Sequence, residues 1–207
     1  MTKTKTAIFL LLLISVTNIS GQTEESFNPY GRPVFVNFSN VNYSFNKDGG
    51  NPAFGISRVY LGYEHFFSRS FSARAVFDIG DPGVGGLQMT AYVKNAFLLY
   101  KGDKLSGRIG MIGTDAFSLV EKNWGHRYIL KTLQDEYGFS SSADIGAALE
   151  YVPSKYVSVD LSVLNGEGYK KLQADSVFKY TAGITFAPVD GLQLRVYADL
   201  MKKEFLR

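Results

Sequence analysis

The residues able to do covalent chemistry are few. The chain has two histidines, His65 and His126, no cysteine, and no Asp, Glu or His cluster at metal-ligand spacing. No serine motif accompanies either histidine, so nucleophile-and-base catalysis has no starting point. The glycine-rich DPGVGG lacks the lysine and following helix of a phosphate loop and reads as a connection. The informative residues are instead charges set at alternate positions. In SVFKYTAGITFAPVDGLQLRVYADLM, residues 176–201, the polar side carries Lys179, Arg195 and Asp199. The other side carries Phe178, Tyr180, Ala182, Ile184 and Phe186, then Leu192, Leu194, Val196, Ala198 and Leu200. Such a stretch handles ions and water on one face and an apolar medium on the other.

The bulk numbers limit what that medium can be. A chain of 207 residues, 45% hydrophobic and 20% charged, has the balance of one folded domain. Its start, MTKTKTAIFLLLLISVTNISGQ, places Lys3 and Lys5 before an apolar run from Ala7 to Val16, with Ser20 and Gly21 at a cleavage position. Residues 1–21 are therefore expected to be a secretory signal peptide, and 22–207 the mature domain. Removing the two lysines leaves 20 basic against 19 acidic residues, so the basicity belongs to the leader and no nucleic-acid reading survives. No other apolar run approaches 18 residues, which excludes a helical membrane span. An exported chain without cysteine has no disulfides to stabilise it.

From about residue 34 the hydrophobic period is two. Strands are predicted at 34–45, 55–67, 71–80, 87–100, 105–113, 143–151 and 157–165, with two more in 176–201. In the first, Val34, Val36 and Phe38 fall out of phase with Val41, Tyr43 and Phe45, and a bulge near Asn40 would restore register. The connections alternate in kind. SRS, KGDK, PSK and VDG are tight turns; NKDGGNPA, DPGVGG, the segment Thr114–Ser142 and GEGYKKLQAD are longer. Short turns at one rim and long loops at the other are the arrangement of an outer-membrane barrel. Tyr63, Phe67, Phe71, Phe97, Tyr100, Tyr151, Tyr156 and Phe186 flank the tight turns, where an aromatic girdle would meet the membrane interface. A secreted β-sandwich also collects aromatic residues near its ends, but it needs Greek-key crossovers, and every connection here fits an up-and-down meander. The expected fold is all-β: an antiparallel up-and-down transmembrane β-barrel, about nine strands of it present, with one helical long loop.

The runs EKNWGHRY and NGEGYKKLQ, set among these strands, resemble the porin-like outer-membrane proteins of Bacteroidetes-type bacteria, grouped loosely with the phosphate-selective porins. The resemblance covers most of the chain from about residue 55. It implies a large antiparallel barrel in the cell outer membrane, often a homotrimer, passing small hydrophilic solutes, and it carries over no substrate; a preference for anionic solutes such as phosphate is a separate expectation, and no cofactor is expected. Nine strands is an odd count, and single-chain bacterial barrels close on an even one. The ending KKEFLR also stops Phe205 short of the terminal aromatic such barrels carry. The expectation is accordingly an N-terminal part of a longer protein.

On the inward parity, the first strands offer Arg58, Arg74, Lys94 and Arg108 against Glu64 and Asp78, while the sixth and seventh offer Asp144, Glu150 and Asp160 with no base. Two readings follow: charges that pair across strands and keep a channel wet, or a basic wall facing an acidic one across the pore. Lys179 and Arg195, with Asp199, extend the set on the last strands. The long segment Thr114–Ser142 is predicted to be helical, with Ser118 and Glu121 at capping-box spacing, a break at Gly125, and Ile129, Leu133 and Tyr137 recurring before Gly138. As a loop folded inward it would set Lys122, Trp124, His126, Arg127 and Lys131 at a constriction; as a lid it would pack on the outer rim. Passive diffusion is the function expected, with a plugged, non-conducting anchor and a soluble sandwich binding protein as rivals. No enzymatic activity is expected.

Overall fold

The computed structural model describes residues 27–46, 49–81, 89–116, 118–127, 129–171 and 177–202. The expected signal peptide and most of KKEFLR lie outside them. Nine strands form one sheet in chain order, every neighbouring pair antiparallel. They are β1 (Tyr30–Asn46), β2 (Gly49–Phe66), β3 (Phe71–Gly80), β4 (Thr90–Lys101), β5 (Leu105–Gly113), β6 (Ala143–Ser154), β7 (Val157–Leu164), β8 (Lys179–Val189) and β9 (Leu192–Met201). The meander expected from the connections is the one observed. Among the described residues β1 pairs only with β2 and β9 only with β8.

Period-two alternation gives the sheet two unlike faces. Directly opposed residues share a face, so Arg58 and Asp78 lie near one another on one side, while Leu61 and Phe77 share the other. The apolar face stays uncovered: Leu61, Phe77, Leu98, Ile109, Leu149, Leu161, Tyr180, Ile184, Leu194 and Val196 are all exposed. His65 lies on this face between the rings of Tyr63 and Phe67, with centroids 6.4 and 4.8 Å away. The buried residues gather on the charged face, where Ile112, Ala148 and Leu164 pack with Phe97.

Two expectations are corrected. The register does slip beside Asn40, between Phe38 and Ser39, but the extra residue is Ser57 of β2. β1 therefore alternates without interruption. Val34, Val36 and Phe38 take the charged face, where Phe38 meets the ring of Tyr60 at 5.5 Å. Val41, Tyr43 and Phe45 take the apolar one, the last two in ring contact at 4.7 Å. NKDGGNPA, in turn, is mostly strand. The register runs on to Asn46 opposite Gly49, so β1 and β2 project past β3 as a two-stranded ribbon, on which Phe54 is 92% exposed.

The helices of the long segment are shorter than its periodicity suggested: α1 (Ser118–Trp124) and α2 (Leu133–Glu136). The capping box at Ser118 is not built, because its hydroxyl donates to the carbonyl of Asp115. Thr132 caps α2 instead, its Oγ1 accepting from the amide of Asp135 at 3.4 Å. Gly125 and Gly138 adopt positive φ, 67° and 64°, and end the two helical turns as expected. Thr114 and Ser142 close the neck of the segment through an amide-to-carbonyl bond of 3.2 Å.

Candidate functional site

The charged face is built pair by pair. Arg58 Nε lies 3.1 Å from Asp78, a residue only 1% exposed. Glu64 accepts from Arg32 at 2.7 Å and stands 3.7 Å from Arg74. Lys179 reaches Asp199 at 3.3 Å, and Arg195 holds Asp160 through two bonds of 2.6 and 2.9 Å. Arg108 grips Asp115 of the long segment with one nitrogen at 2.8 and 2.7 Å. Asp144 accepts the amides of Ile145 and Gly166 at 2.8 Å each. Glu150 meets only the Ser106 hydroxyl at 3.4 Å among its described hydrogen bonds and ion pairs. The opposed basic and acidic walls are thus not what the strands build. Asp160 was expected without a base, yet Arg195 comes to it across β8, and the charges neutralise one another locally.

Lys94 follows a different rule. It sits at a slip in the β3–β4 register, opposite neither neighbour, and donates to the Tyr60 hydroxyl at 2.9 Å while lying 4.4 Å from that ring's centre. Among the described residues no carboxylate comes within ion-pair distance of it.

The long segment lies on this charged face and runs its full height. Asp115 offers its carbonyl to Arg195 at 3.0 Å. Asn123 on α1 donates to Gln193 at 3.1 Å, and α1 shares a cavity with Tyr156, Asp190 and Gly191 of the tight-turn rim. The chain then returns: Lys131, Asp135 and Ser140 line a second cavity with Arg58 and Lys179 towards the long-loop rim. Arg127 reaches back to β1, its guanidinium 6.0 Å from the ring of Phe38, and pairs with Asp135 at 3.4 Å. The lid on the outer rim is not the arrangement found.

Of the expected constriction residues, Arg127 and Lys131 point into contacts, with Lys131 4.0 Å from Glu136. Lys122 is exposed; Trp124 donates its indole N–H to the Leu130 carbonyl at 2.9 Å and meets His126 edge to face at 5.8 Å. Burial lifts the Glu121 carboxyl above the usual range, and the charge of Lys94 partly offsets it.

Sequence reasoning passed over Asp115, Tyr92 and Tyr169. Tyr169 follows β7 and donates to Asp78 of β3 at 2.6 Å, joining a connection to a distant wall. Burial, then this bond to a carboxylate, hold its phenol far above the ordinary range. Tyr92 could have been found from its inward parity opposite Asp78; Asp115 and Tyr169 stand in connections, where no period marks a face.

Compared with known proteins, the chain matches no protein-family model, no curated protein and no solved structure.

Proposed function

We propose that the chain is the wall of a porin-like outer-membrane barrel that admits small hydrophilic solutes, anions among them, by passive diffusion. One observation carries this reading: a single antiparallel meander exposes an unbroken apolar face on one side and gathers ion pairs on the other. In water such an apolar face would drive aggregation, whereas in a bilayer it is the low-energy surface. The charged face keeps a channel wet, and most of its charges are held in pairs, so they shape a pathway without trapping every ion. The long segment narrows the space over that face. Among the described residues the outer edges of β1 and β9 are unpaired, and a closed barrel would have to pair them, because unpaired backbone groups do not face lipid.

A second reading rests on the same segment. Its anchors at both rims, Asn123 to Gln193 and Lys179 to Ser140, suit a plug that stays in place and a barrel acting as a surface anchor. Single-channel recording of the full-length gene product in a planar bilayer separates the two. Discrete current steps, with a reversal potential in a salt gradient, support diffusion; folded, inserted protein that passes no current supports the plug.

A further inference from the structure

We infer that the cavity between α2, the connection after β7 and the inner face of β2 is a binding site for a hydroxylated organic acid of monosaccharide size, the uronic acids being the type. The inference rests on the diffusion reading for its biological sense, but its geometry is independent of current flow. The cavity has a volume of about 430 Å³. That lies within the range of roughly 300–1,000 Å³ typical of small-molecule sites and exceeds what a lone inorganic oxyanion fills.

Its charge favours an anion. Five bases line it, Arg58, Lys131, Lys170, Lys171 and Lys179, against two acids, Asp135 and Glu167; Arg58, Lys179 and Lys131 also hold Asp78, Asp199 and Glu136, so an anion's charge falls chiefly to Lys170. Asp135 is already occupied by Arg127. Lys170 holds its ammonium 5.3 Å from the ring centre of Tyr92 and 5.8 Å from that of Tyr169. Among the described residues no carboxylate pairs with it. Partial burial, then repulsion from Arg58, lowers the affinity of Lys170 for its proton, and the charge of a bound anion offsets that cost.

A second observation asks for more than negative charge. Oε2 of Glu167 is buried with no hydrogen-bond partner among the described residues. An acceptor in that state needs a donor, and a fully ionised oxyanion such as sulfate brings none. A sugar acid brings both: its carboxylate for Lys170, and a hydroxyl that Glu167, whose Oε2 is closed off in this conformation, accepts on turning to the cavity. Ser140, whose hydroxyl accepts from Lys179 at 3.2 Å and keeps its own hydrogen to donate, adds a further polar contact at the wall.

The test is calorimetric titration of the refolded full chain with glucuronate, glucose and sulfate, run beside bilayer recording. Glucuronate is expected to bind at least ten-fold more tightly than either of the others. Lys170→Gln should weaken it about five- to ten-fold, Glu167→Gln should narrow its advantage over sulfate, and Lys104→Gln, in a tight turn at the far rim, should leave it unchanged. Equal binding of glucose, or sulfate binding as tightly as glucuronate, overturns the assignment, as does no binding at all. Binding without current leaves this site standing and removes the diffusion reading; current without binding does the reverse.

Discussion

Arg195 of β9 and Asp160 of β7 are joined by two hydrogen bonds, 2.6 and 2.9 Å, that pass over Gly183 of the strand between them. A Cβ on Gly183 would run into the Arg195 guanidinium and both Asp160 oxygens. The ion pair exists because that position has no side chain.

Gly183→Ala should force the pair apart. The guanidinium can swing, but the carboxylate stands on the neighbouring strand, so a loss of about 1–3 kcal/mol is expected, as for other overpacked positions. Urea unfolding of the vesicle-refolded protein measures it, and unchanged stability would mean that the pair relaxes without cost.

Asp160→Asn keeps the shape and removes the charge. Arg195 retains Thr185 at 2.9 Å and the Asp115 carbonyl at 3.0 Å, so it is not left bare. The expected cost is about 1.5–3 kcal/mol, the net worth of hydrogen bonds to a charged partner. Protease cutting within 114–120 should not quicken, because Arg195 keeps the Asp115 carbonyl that ties the long segment to β9.

Replacing residues 118–131 with a short Gly-Ser linker removes α1 and its anchor at the tight-turn rim. Larger single-channel steps are expected if the segment narrows the pathway. Identical steps before and after would show that ions pass elsewhere.

Val196→Arg puts a charge on the apolar face at a residue 71% exposed. On a lipid-facing surface this costs about 2–4 kcal/mol near mid-bilayer and blocks assembly into vesicles. On a water-facing surface it costs nothing, so the yield of vesicle-inserted protein decides which medium the face meets.

The Glu121 carboxyl binds its proton more tightly when folded than when unfolded. The contribution of α1 to stability is therefore greatest below the ordinary carboxylate range and declines as pH rises through the folded value. Glu121→Gln should slow hydrogen exchange in α1 more at pH 7 than at pH 4; equal slowing at both would remove Glu121 as the cause.

The strands were legible because alternation is a local property. Phe71 to Gly80 and Leu105 to Gly113 were read to the residue from their own side chains, and the two faces followed from the same parity. The Ser57 slip was harder. Its signal appeared in β1 as an apparent phase break, while the inserted residue belongs to the partner strand, and only the pairing reveals which of two strands carries the excess. The helices were overestimated for a related reason. Ile129, Leu133 and Tyr137 repeat at helical spacing, but all three are exposed on a segment held by its polar contacts, so the period marks no buried face.

By itself the sequence determined most of the strands, their order in the meander and, outside β1, which side chains share a face, since alternation needs only a residue and its neighbours in the chain. The tertiary structure decided which charges neutralise which, and where the long segment lies. Arg195 meets Asp160 across an intervening strand, Tyr169 meets Asp78 from a connection ninety-one residues away, and Asp115 joins Arg108 to Arg195. Those meetings depend on the register of several strands together and on the path of a loop without period, and no local pattern encodes either.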